Sequence, residues 1–170
     1  WIGWDFVAST DVDPFSPCTL EEDCDTPDND PRDFNGHGTH CAGSVGAMNN
    51  NAEAVASVSG GWGNGDLEMT GNGVKVMPLR IGWSADYFLV FEVGVVEMSY
   101  AAQAFYYAAD NGAKIASCSW GSENTGGIKD AIDYFLASGG LIFKAAGNEG
   151  ADNPDYISSL SGGLYERIIK

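Results

Sequence analysis

Residues 98–148 read MSYAAQAFYYAADNGAKIASCSWGSENTGGIKDAIDYFLASGGLIFKAAGN. From Met98 to Asn111, Ala, Phe and Tyr recur at helical spacing, and Gly112 is placed to stop a helix. AKIASCSW (113–120) is a short, β-rich apolar run and predicts a strand. Gly126 to Ser138 returns to helical spacing, with Ile128, Ile132 and Phe135 on one face and Gly139-Gly140 as terminator. LIFKAAGN (141–148) predicts another strand, and VKVMPLRI (74–81) predicts a buried strand ahead of the first helix. Strand, helix, strand, helix, strand calls for crossover connections. The fold class is therefore α/β, a three-layer, mostly parallel sheet with helices on both faces. In such sheets the working residues lie beyond the carboxyl ends of the strands, here SWGS after the second strand and AGNEG after the third.

Upstream of this frame, IGWDFV alternates and predicts a short strand. It leads into an acidic loop in which Asp11, Asp13, Glu21, Glu22, Asp23, Asp25, Asp28, Asp30 and Asp33 face a single Arg32, with prolines interleaved. GHGTHCAGSVGAMNN follows, rich in small residues and suited to a tightly packed helix. Gly43 and Gly46 each cost about 1 kcal/mol relative to alanine inside a helix, which predicts close approach by neighbouring elements. Ser57 to Gly73 is Gly-rich and polar and predicts an exposed loop.

The 170 residues predict one domain at most, with 24 acidic against 8 basic side chains and a net charge of −16. That field repels phosphate backbones and anionic lipid, so neither nucleic acid nor membrane is an expected partner. No run approaches the roughly 20 apolar residues of a spanning helix. Cys18 and Cys24 bracket the polar segment PCTLEEDC, which predicts a disulfide formed in an oxidising compartment. Cys41 and Cys118 lie in small, apolar contexts and read as buried free thiols.

Two side chains carry the chemistry. His37 precedes a helix, and the positive end of a helix dipole favours the neutral imidazole that a general base needs. Asn148 follows Gly147 at the end of a strand, where a side-chain amide can point N–H groups at a developing oxyanion. Taken singly, each has a plain structural reading, a turn-capping histidine and a turn asparagine.

Taken together, the motifs resemble the subtilisin-like serine protease family. The run G-H-G-T-H-x-A-G at 36–43 resembles its histidine motif, AAGNEG at 145–150 its oxyanion-asparagine motif, and NGAKIASCSWGS at 111–122 the strand that ends in one wall of its specificity pocket. The resemblance implies that His37 is the catalytic base, that His40 packs inside the helix, and that Asn148 donates to the oxyanion. It implies substrate backbone bound by Ser119, Trp120 and Gly121 on one side and by Ala145, Ala146 and Gly147 on the other. Cys41, after the second histidine, resembles the thiol-containing branch and is expected under the base. The resemblance further implies secretion, a peptide or protein substrate and a propeptide. DNDPRD (28–33) resembles a calcium loop of some members, so Asp28, Asp30 and Asp33 are candidate Ca²⁺ ligands.

The match departs from the family in two respects. The triad's Asp-Ser/Thr-Gly turn and Gly-Thr-Ser-Met-Ala segment do not occur in these residues. The family order would place them before Trp1 and after Lys170, so residues 1–170 read as part of a peptidase domain, incomplete and inactive alone. GWSADYFLVFEVG (82–94) also stands where the family tends to place glycines beside the pocket. The expected function is that of a serine endopeptidase acting by acyl transfer. The alternative is a non-catalytic subtilisin-like module that binds peptide or calcium.

Overall fold

The computed structural model describes residues 3–8, 17–19, 21–53, 55–63, 72–87 and 91–170. The chain divides into two compact units, Trp1–Arg32 with Leu79–Lys170, and 33–78. The first contains β1 (Trp4–Asp5), β2 (Leu79–Arg80), β3 (Gly82–Tyr87), β4 (Phe91–Val96), α2 (Met98–Asp110), β5 (Ile115–Cys118), α3 (Ile128–Ala137), β6 (Leu141–Lys144), α4 (Tyr156–Ser159), a 3₁₀ turn (Gly163–Arg167) and β7 (Ile168–Ile169). The second contains α1 (His37–Gly46) and the loops that follow it.

The two long helices form where the spacing predicts them. Glu97 caps α2 by accepting the Ser99 N–H at 3.1 Å, and Gly112 ends it at φ 79°. Its buried face carries Met98, Ala101, Ala102, Phe105 and Ala108, at intervals of three and four. The matching face of α3 carries Ile128, Ala131, Ile132, Phe135 and Leu136, all fully buried. The rings of Phe105 and Phe135 meet at 5.7 Å between the helices. Each such side chain contributes about 2 kcal/mol through removal from water. The α3 chain turns at Gly139 (φ 97°), and a Cβ on Gly140 would collide with the Phe135 ring.

Parallel pairing joins β5 to β6 and β6 to β7, with Cys118 opposite Lys144 and Phe143 opposite Ile169. A second parallel pair sets Trp4 opposite Leu79. The α/β class with parallel strands is thus present. VKVMPLRI, however, is a strand only at Leu79–Arg80. Its first residues run as loop in the other unit, where the Val74 N–H donates to Ser59 at 2.8 Å, and Pro78 offers no N–H to a ladder.

GWSADYFLVFEVG forms something the periodicity did not predict, an antiparallel hairpin of β3 and β4 with Gly82 opposite Val96. The acidic loop is laid on its free edge. Cys18 bridges to Ala85, the Thr19 N–H donates to Ser84 O at 3.1 Å, and the Ser84 N–H donates to Glu22 Oε2 at 2.8 Å. The expected disulfide closes that loop between Cys18 and Cys24. Beneath it Arg80 binds the carboxylates of Asp5 and Glu22, the second at 2.7 Å, and all three side chains are at least nine-tenths buried. Burial pushes the Asp5 carboxyl above its ordinary range even though the Val7 N–H and Arg80 pull it down. Phe6, Val7, Cys24, Trp83, Ala85, Tyr100 and Ala104 make the apolar cluster around this ion triad.

In the unit 33–78, Ser57 organises the loop after α1. Its hydroxyl donates to Ala47 O at 2.5 Å and accepts the Gly60 N–H at 2.7 Å, while its own N–H donates to Asn49 Oδ1 at 2.9 Å. Gly46 meets the expectation of close approach, since a Cβ there would lie 2.9 Å from Val76 Cγ2. Gly43 does not: nothing lies within 4 Å of its Cβ position. The predicted loop is present at 57–63 and 72–73, and the rest of it lies outside the described residues.

Candidate active site

His37 is the first residue of α1, after Gly36 in a left-handed conformation at φ 86°. The helix start is held by Asp33. Its Oδ1 accepts the N–H groups of Asn35 at 3.1 Å and Gly36 at 2.9 Å, and its Oδ2 accepts the Thr39 N–H at 2.6 Å. These are the otherwise unpaired donors of a helix N-terminus. Burial raises the Asp33 carboxyl, but the hydrogen bonds from Thr39, Gly36 and Asn35 outweigh it and hold the group below the usual range. One turn along, the Cys41 Sγ lies 3.9 Å from His37 Nε2 and 4.0 Å from Nδ1, so the thiol is under the imidazole as expected. Cys41 is half-buried rather than buried. His40 is exposed, which corrects the expectation that it packs inside the helix: α1 buries none of its residues.

In the other unit, β5 and β6 end side by side. The Ala145 N–H donates to Cys118 O at 3.0 Å as the last rung. Beyond it stand Ser119, Trp120 and Gly121 on one strand end and Ala145, Ala146 and Gly147 on its parallel neighbour. Gly147 (φ 78°) turns the chain outward, and Ala145 to Gly150 are all exposed. The Asn148 N–H is taken by Glu149 Oε2 at 2.8 Å, and its side-chain amide makes no hydrogen bond among the described residues. An exposed side-chain amide can offer its N–H to an anionic oxygen.

The family model for subtilases matches residues 15–165. The chain belongs to the subtilase family. It is 28% identical to thermitase of Thermoactinomyces vulgaris over 163 residues, 95% of this chain and 45% of thermitase. It is 29% identical over 143 residues to a thermophilic serine proteinase of Bacillus sp. (strain AK1), 84% of this chain and 29% of that protein. Against a calcium-dependent protease of Trichormus variabilis the identity is 29% over 148 residues, 73% of this chain and 20% of that protein. This subtilase chain therefore spans less than half the length of the relatives it matches.

The three aspartates expected to hold calcium in this subtilase have other occupations. Asp33 gives both carboxylate oxygens to α1. Asp30 pairs with Arg32 at 2.8 Å, and Asp28 Oδ1 accepts the Asp30 N–H at 2.7 Å. Among the described residues, the ligand-type atoms that cluster are those of Cys18, Glu22 and Cys24, and both sulfurs there are consumed by the disulfide. The carboxylate oxygens at 28, 30 and 33 thus engage N–H groups and a guanidinium.

Motif reading missed a buried ion pair at the end of β6. Lys144, the last residue of β6, is buried and sits 2.6 Å from Asp155 Oδ2. A buried ammonium costs several kcal/mol unless it is paired. Asp155 also accepts the Ser122 N–H at 3.1 Å and the Ser158 N–H at 2.9 Å. Burial raises the Asp155 carboxyl, but Lys144 and Ser158 together bring it below the ordinary range. The alternation along LIFK carried the signal, because it puts Lys144 on the same face as Ile142.

Proposed function

We propose that these residues are the base and oxyanion part of a serine endopeptidase that hydrolyses peptide bonds by acyl transfer. The observation that carries the reading is the exposed Asn148, four residues beyond β6, whose parallel neighbour β5 leads into Ser119–Gly121. An extended peptide would lie between Ser119–Gly121 and Ala145–Gly147, binding backbone to backbone. His37 would take the proton from a serine hydroxyl, and as that oxygen attacks the scissile carbonyl, the Asn148 N–H would bind the oxyanion. His37 would then return the proton to the leaving amine. The serine and the orienting aspartate belong to motifs that these 170 residues do not contain, so the 170 residues alone are expected to hydrolyse no peptide.

A relative named as a thermophilic serine proteinase supports this reading. One oxyanion donor is worth about 3 kcal/mol of barrier, so Asn148→Ala in the complete protein should lower kcat by about 100- to 1,000-fold with KM nearly unchanged. An unaltered kcat would remove Asn148 from the mechanism. Fluorophosphonate labelling of the complete protein separates this reading from a non-catalytic peptide- or calcium-binding module, because only a peptidase with an activated serine takes the label.

Secretion is supported by the Cys18–Cys24 disulfide, which needs an oxidising compartment to form and persist. None of the described helices is long and apolar enough to cross a membrane. Calcium binding rests on the name of one relative and on the aspartates at 28, 30 and 33. Calorimetric titration with Ca²⁺ tests it.

A further inference from the structure

Along β6 the side chains alternate between buried Ile142, exposed Phe143 and buried Lys144. The last inward position of a core strand thus carries an ammonium where an alkyl group would pack. Its bonds run to both walls of the cleft. Lys144 Nζ donates to Ala145 O at 2.9 Å, at the start of the AAGN segment, and reaches Asp155 Oδ2 at 2.6 Å. The same Oδ2 accepts the N–H of Ser122, the residue that follows Ser119–Gly121. Ser122 is fixed again by accepting the Tyr156 N–H on its carbonyl and the Ile157 N–H on its hydroxyl, both at 2.9 Å. One carboxylate oxygen therefore links the two segments just where the β5–β6 ladder has ended.

We propose that Lys144 and Asp155 are positioning residues that hold Ser119–Gly121 and Ala145–Gly147 at the spacing an extended peptide requires. This rests on the peptidase reading above for its purpose, though not for its geometry. Neither side chain touches substrate. Asp155 neutralises a charge on a side chain that is almost wholly buried, and in doing so it makes the position of one wall depend on the position of the other.

The test compares full-length wild type with Lys144→Met and Lys144→Arg by amide hydrogen exchange. Lys144→Met should speed exchange at 119–122 by at least ~10-fold along with 145–147 and leave α2 and α3 protected, whereas Lys144→Arg should restore slow exchange. Wild-type exchange at 119–122 in Lys144→Met would overturn the link. Should that variant not fold, Asp155→Asn, which keeps the shape, is expected to give the same pattern and is judged by the same criterion. In activity, kcat/KM for a tetrapeptide anilide should fall by about 10-fold in Lys144→Met while hydrolysis of a small acetyl ester, which spans neither wall, stays within about 2-fold. Equal losses on both substrates would overturn the positioning role. A wild-type protein that cleaves neither substrate would sink the peptidase reading, and the positioning role with it, while the exchange comparison still decides the link.

Discussion

The Oδ2 of Asp33 lies 2.6 Å from the backbone nitrogen of Thr39, two residues beyond His37. The residue that starts α1 is thus outside the helix and fixes the turn on which the imidazole stands. Replacing such a cap by alanine costs about 1 kcal/mol. Asp33→Ala should lower the stability of the 33–78 unit by that amount in urea titrations followed by circular dichroism, and should lower peptide hydrolysis by the complete protein.

The same carboxylate gives a pH dependence with a definite sign. Its folded pKa lies below its unfolded value, near 3.9 for an aspartate, so its contribution is complete above that value and is lost as pH falls through the folded pKa. Asp155, also depressed, acts in the same direction. Stability should therefore decline below about pH 4. Asp33→Asn should show a shallower decline, and an identical acid profile would contradict the role assigned to the carboxylate.

Arg80 is buried against two carboxylates, and removing one partner of such a group typically costs about 3–5 kcal/mol. Arg80→Met leaves Asp5 and Glu22 facing each other without a cation. Its unfolding free energy from urea titration should drop by that much, far more than for Arg32→Met, whose ion pair with Asp30 is solvent-exposed.

The loop above that triad is closed by a short disulfide, which contributes about 2 kcal/mol in chain-entropy terms. Cys18→Ser/Cys24→Ser should lower the melting temperature. Wild type in reducing agent should match the double variant, and the double variant itself should not respond to reductant.

The two free thiols should behave in opposite ways. Burial pushes the Cys118 thiol up to about 12, whereas Cys41 is half-buried beside His37. Iodoacetamide applied to the native protein at pH 8 should label Cys41 and spare Cys118, as read by mass spectrometry. A mercurial on Cys41 should block peptide hydrolysis by the complete protein, and Cys41→Ala should abolish that sensitivity.

The parts of this molecule that could be read in the sequence are those governed by local rules. The spacing of Ile128, Ile132 and Phe135 and the glycines at 112 and 139 delimit two helices within a residue or two, because a buried stripe and a left-handed stop act over a few residues. His37 and Asn148 were singled out by their motifs, and the structure places them at the start of α1 and four residues beyond β6. The β3–β4 hairpin was not: its turn has no Asn-Gly or Asp-Gly signal, and its register depends on pairing with a strand yet to come. The Lys144–Asp155 pair joins residues from different elements, so the alternation that turns Lys144 inward does not name its partner. Asp33 is the instructive case, since an acidic residue shortly before a helix fits a cap as well as a calcium loop, and carboxylate oxygens suit both N–H donors and a hard cation.

The outer face of the β5–β6–β7 sheet leaves Ile115 at 61%, Phe143 at 43% and Ile169 at 44% exposure. A net charge of −16 keeps copies of the chain apart at low ionic strength. Added sulfate would screen that repulsion and strengthen association of the apolar strip at once, so the chain should salt out at unusually modest concentrations and do so reversibly on dilution.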